Sequence, residues 1–139
     1  MHTQVRNTLK APTEEDWGDW RSDVDIGAAY KVFFGKTAKE VQEDFYRCVI
    51  ERADELRFVP RAVFKYYIFA YCDFIMAGNF QLYDEADAAN CFLELIIHKL
   101  KNNREDVIEL MPSLMPTIKH IAKNQDTINA WQIQTYPRE

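Results

Sequence analysis

Residues 58–76 read FVPRAVFKYYIFAYCDFIM, and this almost continuously apolar stretch decides the fold. Only Arg61, Lys65 and Asp73 interrupt it with charge. A charge at the centre of a bilayer costs about 2.5–3.5 kcal/mol, and the sequence has no second stretch of this kind, so a membrane span is disfavoured. The pattern instead predicts a buried central helix over about residues 60–77, with Pro60 in its first turn and Gly78 at its end.

A helical pattern also precedes this segment. Thr37 and Glu40 have the spacing of a capping box, and apolar residues recur every three or four positions over residues 38–57, which predicts one amphipathic helix. Thr37 also ends a Gly-Lys-Thr sequence at residues 35–37. A phosphate-binding loop needs an earlier glycine where Tyr30 stands, so a helix start is favoured over a nucleotide site.

The rest of the chain continues the helical pattern. Nearer the N-terminus, Thr13 can cap a short helix through Trp20, and Asp23 or Asp25 can open another that reaches Phe34. After the central helix, the patterns predict a helix over about residues 85–101 and another that Asn103 caps. This second helix should break near Met111, because Pro112 and Pro116 follow, and a new helix should then run to about Asn124. A short turn is expected around Ile128 and Trp131.

Composition bounds the class of protein. The chain has 139 residues, of which 47% are hydrophobic and only 4 are glycine. These values predict an all-α, compact single domain over residues 1–139, with about five to seven helices around the central helix and loosely ordered tails at residues 1–12 and 134–139. The 3 cysteines are an odd number among apolar neighbours, and the N-terminus lacks the apolar core of a secretory signal, which favours a cytoplasmic location.

Charge and motifs disfavour several activities. A net charge of −5 repels a phosphate backbone, so nucleic-acid binding is not expected. The sequence has no closely spaced Cys or His pair typical of a metal site and no GxSxG motif, so we expect no metal, no cofactor and no catalytic residues. A Cys72 nucleophile with His98 as base stays open, because such partners meet in space rather than in sequence.

One candidate binding surface is EEDWGDWRSDVD at residues 14–25, in which six carboxylates accompany two tryptophans. A basic protein would be steered by the charge and held by the aromatic rings. The partner-binding residues of this hypothesis are Glu14, Glu15, Asp16, Trp17, Asp19 and Trp20. The alternative is that the tryptophans pack on the core while the acids face water.

A second candidate is a pocket beside the central helix. Its predicted residues are Arg61, Lys65, Tyr67, Tyr71 and Asp73, whose charges and phenols would meet a small molecule. The alternative is that the three charged side chains form a solvated edge, or pair with acids of the preceding helix at Glu51, Asp54 or Glu55.

Two motifs carry a resemblance. The patterns DVDxGxAYxxFFGKT and VPxxxFxYYxxAY, within about residues 17–100, resemble a family of small bacterial all-helical proteins of unknown function. Their matching residues are Trp20, Asp23, Asp25, Gly27, Ala29, Tyr30, the block from Phe33 to Thr37, Pro60, Phe64, Tyr66, Tyr67, Ala70 and Tyr71. The resemblance implies a bacterial, helical domain and supplies no catalytic residues.

These observations favour a non-catalytic protein that binds another, basic protein, as bacterial toxin-immunity proteins do. The alternative is a small-molecule-binding protein or an unrecognised enzyme with a pocket beside the central helix. A homodimer that uses its aromatic-rich surface for self-association is a third hypothesis.

Overall fold

The structure, a computed structural model, describes residues 9–124, and this part of the chain contains six α-helices and no strand. The helices are α1 (Val24–Phe33), α2 (Gln42–Arg47), α3 (Val49–Leu56), α4 (Arg61–Ala77), α5 (Glu85–Asn102) and α6 (Met111–Lys123). Four short 3-10 turns occur at Glu15–Trp17, Trp20–Ser22, Arg104–Asp106 and Ile108–Leu110. The predictions for residues 1–8, for the tail at 134–139 and for a turn around Ile128 and Trp131 lie outside the described residues.

Helix α4 is the centre of the fold, as its apolar sequence predicted. Ten of its 17 residues are buried, and it contacts α2, α3, α5 and α6. It begins directly after Pro60 and ends at Gly78, whose φ of 71° is a left-handed conformation that glycine adopts without strain. The all-α prediction with one central apolar helix is therefore confirmed.

Two tyrosines of α4 fix the connection between α1 and α2. The Tyr67 hydroxyl is buried 2.7 Å from the carbonyl oxygens of both Phe33 and Lys36, to which it can donate. The Tyr66 hydroxyl accepts a hydrogen bond from the Ala38 backbone NH at 2.9 Å. Buried backbone groups need hydrogen-bond partners, and these two phenols supply them to the backbone where the chain leaves α1.

Residues 38–57 form two helices rather than the single helix that we predicted. The two hydrogen bonds of the capping box are present, since Thr37 NH donates to Glu40 at 2.9 Å and Glu40 NH donates to the Thr37 hydroxyl at 3.2 Å. They close a turn, however, and α2 begins only at Gln42, so the predicted helix start at Thr37 is wrong. The helical path then breaks at Cys48, whose backbone is extended (φ −158°, ψ 83°). The break lets α2 pack on α4 while α3 packs mainly on α5.

The predicted helix start at Asn103 is also wrong. The Asn103 side chain caps no helix, and two 3-10 turns occupy residues 104–110 instead. The predicted new start near Met111 is confirmed, because α6 begins there with Pro112 in its first turn. Pro116 lies inside α6 on the exposed side, where water can solvate the carbonyl that loses its partner.

A buried ion pair explains why the segment after α5 takes this course. Lys99 is only 2% exposed, and its Nζ lies 3.3 Å from Asp106 Oδ2 and 4.8 Å from the centre of the Phe64 ring. Arg61 Nε lies 3.0 Å from the other oxygen of Asp106. Burial lowers the pKa of Lys99, and the nearby carboxylate opposes that shift. Asp106 therefore ties this segment to α4 and α5.

Candidate functional site

The most distinctive surface combines the turns at residues 15–22 with one edge of α1. We call it the acidic aromatic face and define it by the exposed or half-buried residues Glu14, Glu15, Asp16, Asp19, Trp20, Tyr30 and Phe34. Residues 14–25 hold six carboxylates and one arginine, so this stretch carries a charge as negative as the −5 of the whole chain.

Trp17 is not part of this surface. Its side chain is 1% exposed and meets the Tyr30 ring edge to face, with 5.3 Å between centroids and 83° between planes. The turn that holds it contacts α4. The partner-binding set is therefore corrected by the removal of Trp17, which fastens the acidic stretch to the core.

Three partly exposed rings form a stack along the acidic aromatic face. Trp20 lies over Tyr30 with 3.8 Å between ring centroids and 10° between ring planes. Tyr30 in turn lies over Phe34 with 4.5 Å between centroids and 18° between planes. Phe34 is 38% exposed, so one side of the stack is open to water. Sequence reasoning missed Tyr30 and Phe34, although their spacing of four residues places them on one side of a helix.

Local sequence explains why the Trp20 turn can lie against α1. Asp23 caps α1 by accepting hydrogen bonds from the backbone NH groups of Asp25 at 2.9 Å and Ile26 at 3.0 Å. A Cβ at Gly27 would lie 3.4 Å from the Trp20 carbonyl oxygen, which is an ordinary van der Waals distance. The Trp20 turn therefore lies in contact distance of α1 at this residue, and an alanine would also fit there.

Some of the carboxylates hold the turns in shape. Asp16 accepts from the Thr13 backbone NH at 2.8 Å, and its own NH donates to the Thr13 hydroxyl at 3.3 Å. Asp19 accepts a hydrogen bond from the Ser22 hydroxyl. These contacts are local, so charge reversal at either position would change the turn as well as the surface potential.

Glu14 and Arg21 both act on the ring stack. Burial and the nearby Glu14 carboxylate raise the pKa of Tyr30. The Arg21 guanidinium carbon lies 4.3 Å from the centre of the Trp20 ring, a distance typical of cation–π contact. The face thus already accommodates a guanidinium.

The five residues of the predicted pocket do not form an open site together. Tyr67 and Tyr71 are completely buried, whereas Arg61 is exposed and Lys65 and Asp73 are half-buried. The Tyr71 hydroxyl donates to the Ala88 carbonyl at 2.8 Å, so this phenol joins α4 to α5. Burial raises the pKa of Tyr71 well above its ordinary value.

Two of the three charged residues of α4, Arg61 and Lys65, pair with the segment after α5. Arg61 lies 3.0 Å from Asp106 and 3.8 Å from Glu105, and Lys65 lies 3.7 Å from Glu109. The expectation that they pair with the preceding helix is wrong. The acids of that helix pair locally instead. Glu51 and Glu55 lie 3.3 Å and 2.7 Å from Arg52, and Asp54 lies 3.1 Å from Arg57 at the end of the helix.

An open groove lies between α3 and α5 rather than beside α4. Its volume is about 320 Å³, and its lining residues are Ile50, Ala53, Asp54, Arg57, Cys91, Glu94, Leu95 and His98. Burial and the charge of Glu94 raise the pKa of the Cys91 thiol, which keeps it a poor nucleophile. Cys72 is 2% exposed on α4, and the cysteine that shares this groove with His98 is Cys91.

Within residues 9–124, the structure contains no group of three or more His, Cys, Asp and Glu side chains arranged to hold a metal ion. No helix in the same range is long and apolar enough to cross a membrane. Comparison with known proteins gives no matching family model and no significant similarity to a curated protein or a solved structure.

Proposed function

We propose that this protein is a non-catalytic binding protein that covers a basic surface of another protein with its acidic aromatic face, in the manner of a bacterial toxin-immunity protein. The observation that carries the proposal is the stack of Trp20, Tyr30 and Phe34, which stays partly exposed among the carboxylates. Large rings left at a surface are typical of interfaces, where they supply most of the binding energy.

The charge pattern supports the same proposal. Six carboxylates within residues 14–25 create a negative potential that attracts a positively charged protein and speeds its encounter. The rings then contribute contact area that charge alone does not give. Rim charges of this kind act mostly on the association rate and are screened by salt, whereas the central rings act on dissociation.

The binding test uses charge reversal at positions that do not hold the turns. A variant with Glu14→Lys and Glu15→Lys, and a separate Trp20→Ala variant, should lose the basic protein that the wild type captures from an extract of its own cells. A variant with Glu85→Lys and Glu94→Lys is the matched control, because both acids lie on α5, which contributes no residue to this face, and neither forms an ion pair within residues 9–124.

Equal capture by all four proteins would refute the proposal. Circular dichroism must show that each variant retains its helices, since Trp20 stacks on α1. A molar mass in solution of twice the chain mass, lost with Trp20→Ala, would instead assign the same rings to self-association.

The α3–α5 groove favours a second candidate function, the binding of a small molecule. A volume of about 320 Å³ lies at the lower end of typical ligand sites, and the lining combines apolar Ile50 and Leu95 with polar Glu94 and His98. A metabolite that binds there should raise the melting temperature of the wild type. It should fail to do so for a Leu95→Ala variant, which enlarges the groove.

A further inference from the structure

Arg21 is held on the acidic aromatic face by a ring rather than by an acid. Its guanidinium lies over Trp20 at 4.3 Å, and no carboxylate oxygen in the described part of the chain lies within 4 Å of it, although six carboxylates are close in sequence. Tyr30 covers one side of the indole at 3.8 Å, so the guanidinium takes the other side. This outer side of Trp20 is the end of the ring stack.

We propose that the outer side of Trp20 is a subsite for an arginine side chain of the partner, and that Arg21 occupies this subsite in the free protein. The inference rests on the proposed function and specifies the chemistry that the face recognises. A guanidinium is planar, weakly hydrated and able to stack on an indole, whereas a lysine ammonium is a compact, strongly hydrated charge. The subsite should therefore distinguish arginine from lysine.

The same geometry makes Arg21 compete with the partner's arginine for the outer side of Trp20. An exposed cation–π contact is weak, so an incoming arginine that also gains the potential of the nearby carboxylates can displace it. Substitutions that empty the subsite should strengthen arginine binding. Arg21→Lys is the most informative, because it removes the stacking group and keeps the net charge of −5.

The experiment measures the binding of fluorescent oligoarginine and oligolysine peptides of equal length at one ionic strength. We expect the wild type to prefer oligoarginine, and Arg21→Lys to bind it about two- to fivefold more tightly, as expected for loss of one exposed cation–π competitor. Arg21→Ala should bind oligoarginine more tightly than Lys31→Ala does. Lys31→Ala is the matched variant, because it removes one exposed positive charge from α1 without touching a ring. A Trp20→Leu variant that remains helical should lose the preference for arginine.

Two results would overturn the inference, and they separate it from the proposed function. If oligoarginine and oligolysine bind equally and Arg21→Lys matches the wild type, the face binds basic chains through charge alone, and only the arginine subsite is wrong. If neither peptide binds more tightly to the wild type than to the variant with Glu14→Lys and Glu15→Lys, the proposed function fails as well.

Discussion

Replacement of Tyr67 by phenylalanine tests how α4 holds the α1–α2 connection. The hydroxyl is fully buried and lies 2.7 Å from the carbonyl oxygens of Phe33 and Lys36. Phe33 keeps a second partner, since the Lys36 NH donates to it at 3.1 Å. The variant leaves a buried acceptor without this donor, so we expect it to lose about 1–3 kcal/mol in the free energy of unfolding at neutral pH.

The pH dependence of this loss has a definite sign. Burial raises the pKa of Tyr67 above its ordinary value of about 10, so the native protein keeps the phenolic proton at about pH 11 while the unfolded chain releases it. Because the native state then binds more protons, the free energy of unfolding falls as pH rises above about 10. One tyrosine contributes a loss of about 1.4 kcal/mol at one pH unit above its unfolded pKa.

The phenylalanine variant has no phenolic proton at residue 67, so its free energy of unfolding does not fall in alkali for this reason. The difference in stability between wild type and variant should therefore narrow by about 1.4 kcal/mol between about pH 8 and about pH 11, as measured by urea unfolding. Lys99 and Cys91 also titrate in alkali, but both proteins contain them, so their effects cancel in the difference. A difference that stays constant or widens would show that Tyr67 ionises as easily in the folded protein, which would refute its burial.

Other substitutions test the ion pair, the cap and the glycines. Asp106→Ala should cost about 3–5 kcal/mol because it leaves the Lys99 charge buried alone, whereas Lys99→Met should change the free energy of unfolding by less than about 1 kcal/mol; similar losses would contradict the buried pair. Thr37→Ala should cost about 1 kcal/mol in denaturant unfolding, and no change would mean that the capping box is not formed in solution. Gly78→Ala should cost about 1 kcal/mol through its positive φ, while Gly27→Ala should keep or raise the melting temperature, and the reverse order would contradict both backbone assignments.

The parts of the fold that the sequence predicted are those that local chemistry determines. The central helix follows from a long apolar run bounded by Pro60 and Gly78, and the Thr37 capping box follows from spacing alone. The break at Cys48 could not be predicted, because apolar residues spaced by three and four continue through it. The break depends on α2 and α3 packing against different neighbours, which is tertiary information.

The candidate site was predictable in charge but not in shape. The acids of residues 14–25 were correctly expected to face water, since carboxylates are rarely buried without partners. Trp17 is buried and Trp20 is half-buried against the core, as the alternative interpretation of the tryptophans expected. Tyr30 and Phe34 were missed because their stacking depends on how the Trp20 turn folds against α1. Tyr67 and Tyr71 were assigned to a pocket because a phenol suits a ligand as well as a buried carbonyl, and only the packing decides between them.

The burial of Trp17 has a consequence for the kinetics of recognition. A side chain seated in the core, with Tyr30 against it, holds the acidic stretch in one conformation before any partner arrives. Such preorganisation reduces the conformational entropy lost on docking. Complex formation at this face should therefore follow a single collision step without a slow folding phase, and its rate constant should rise steeply as ionic strength falls.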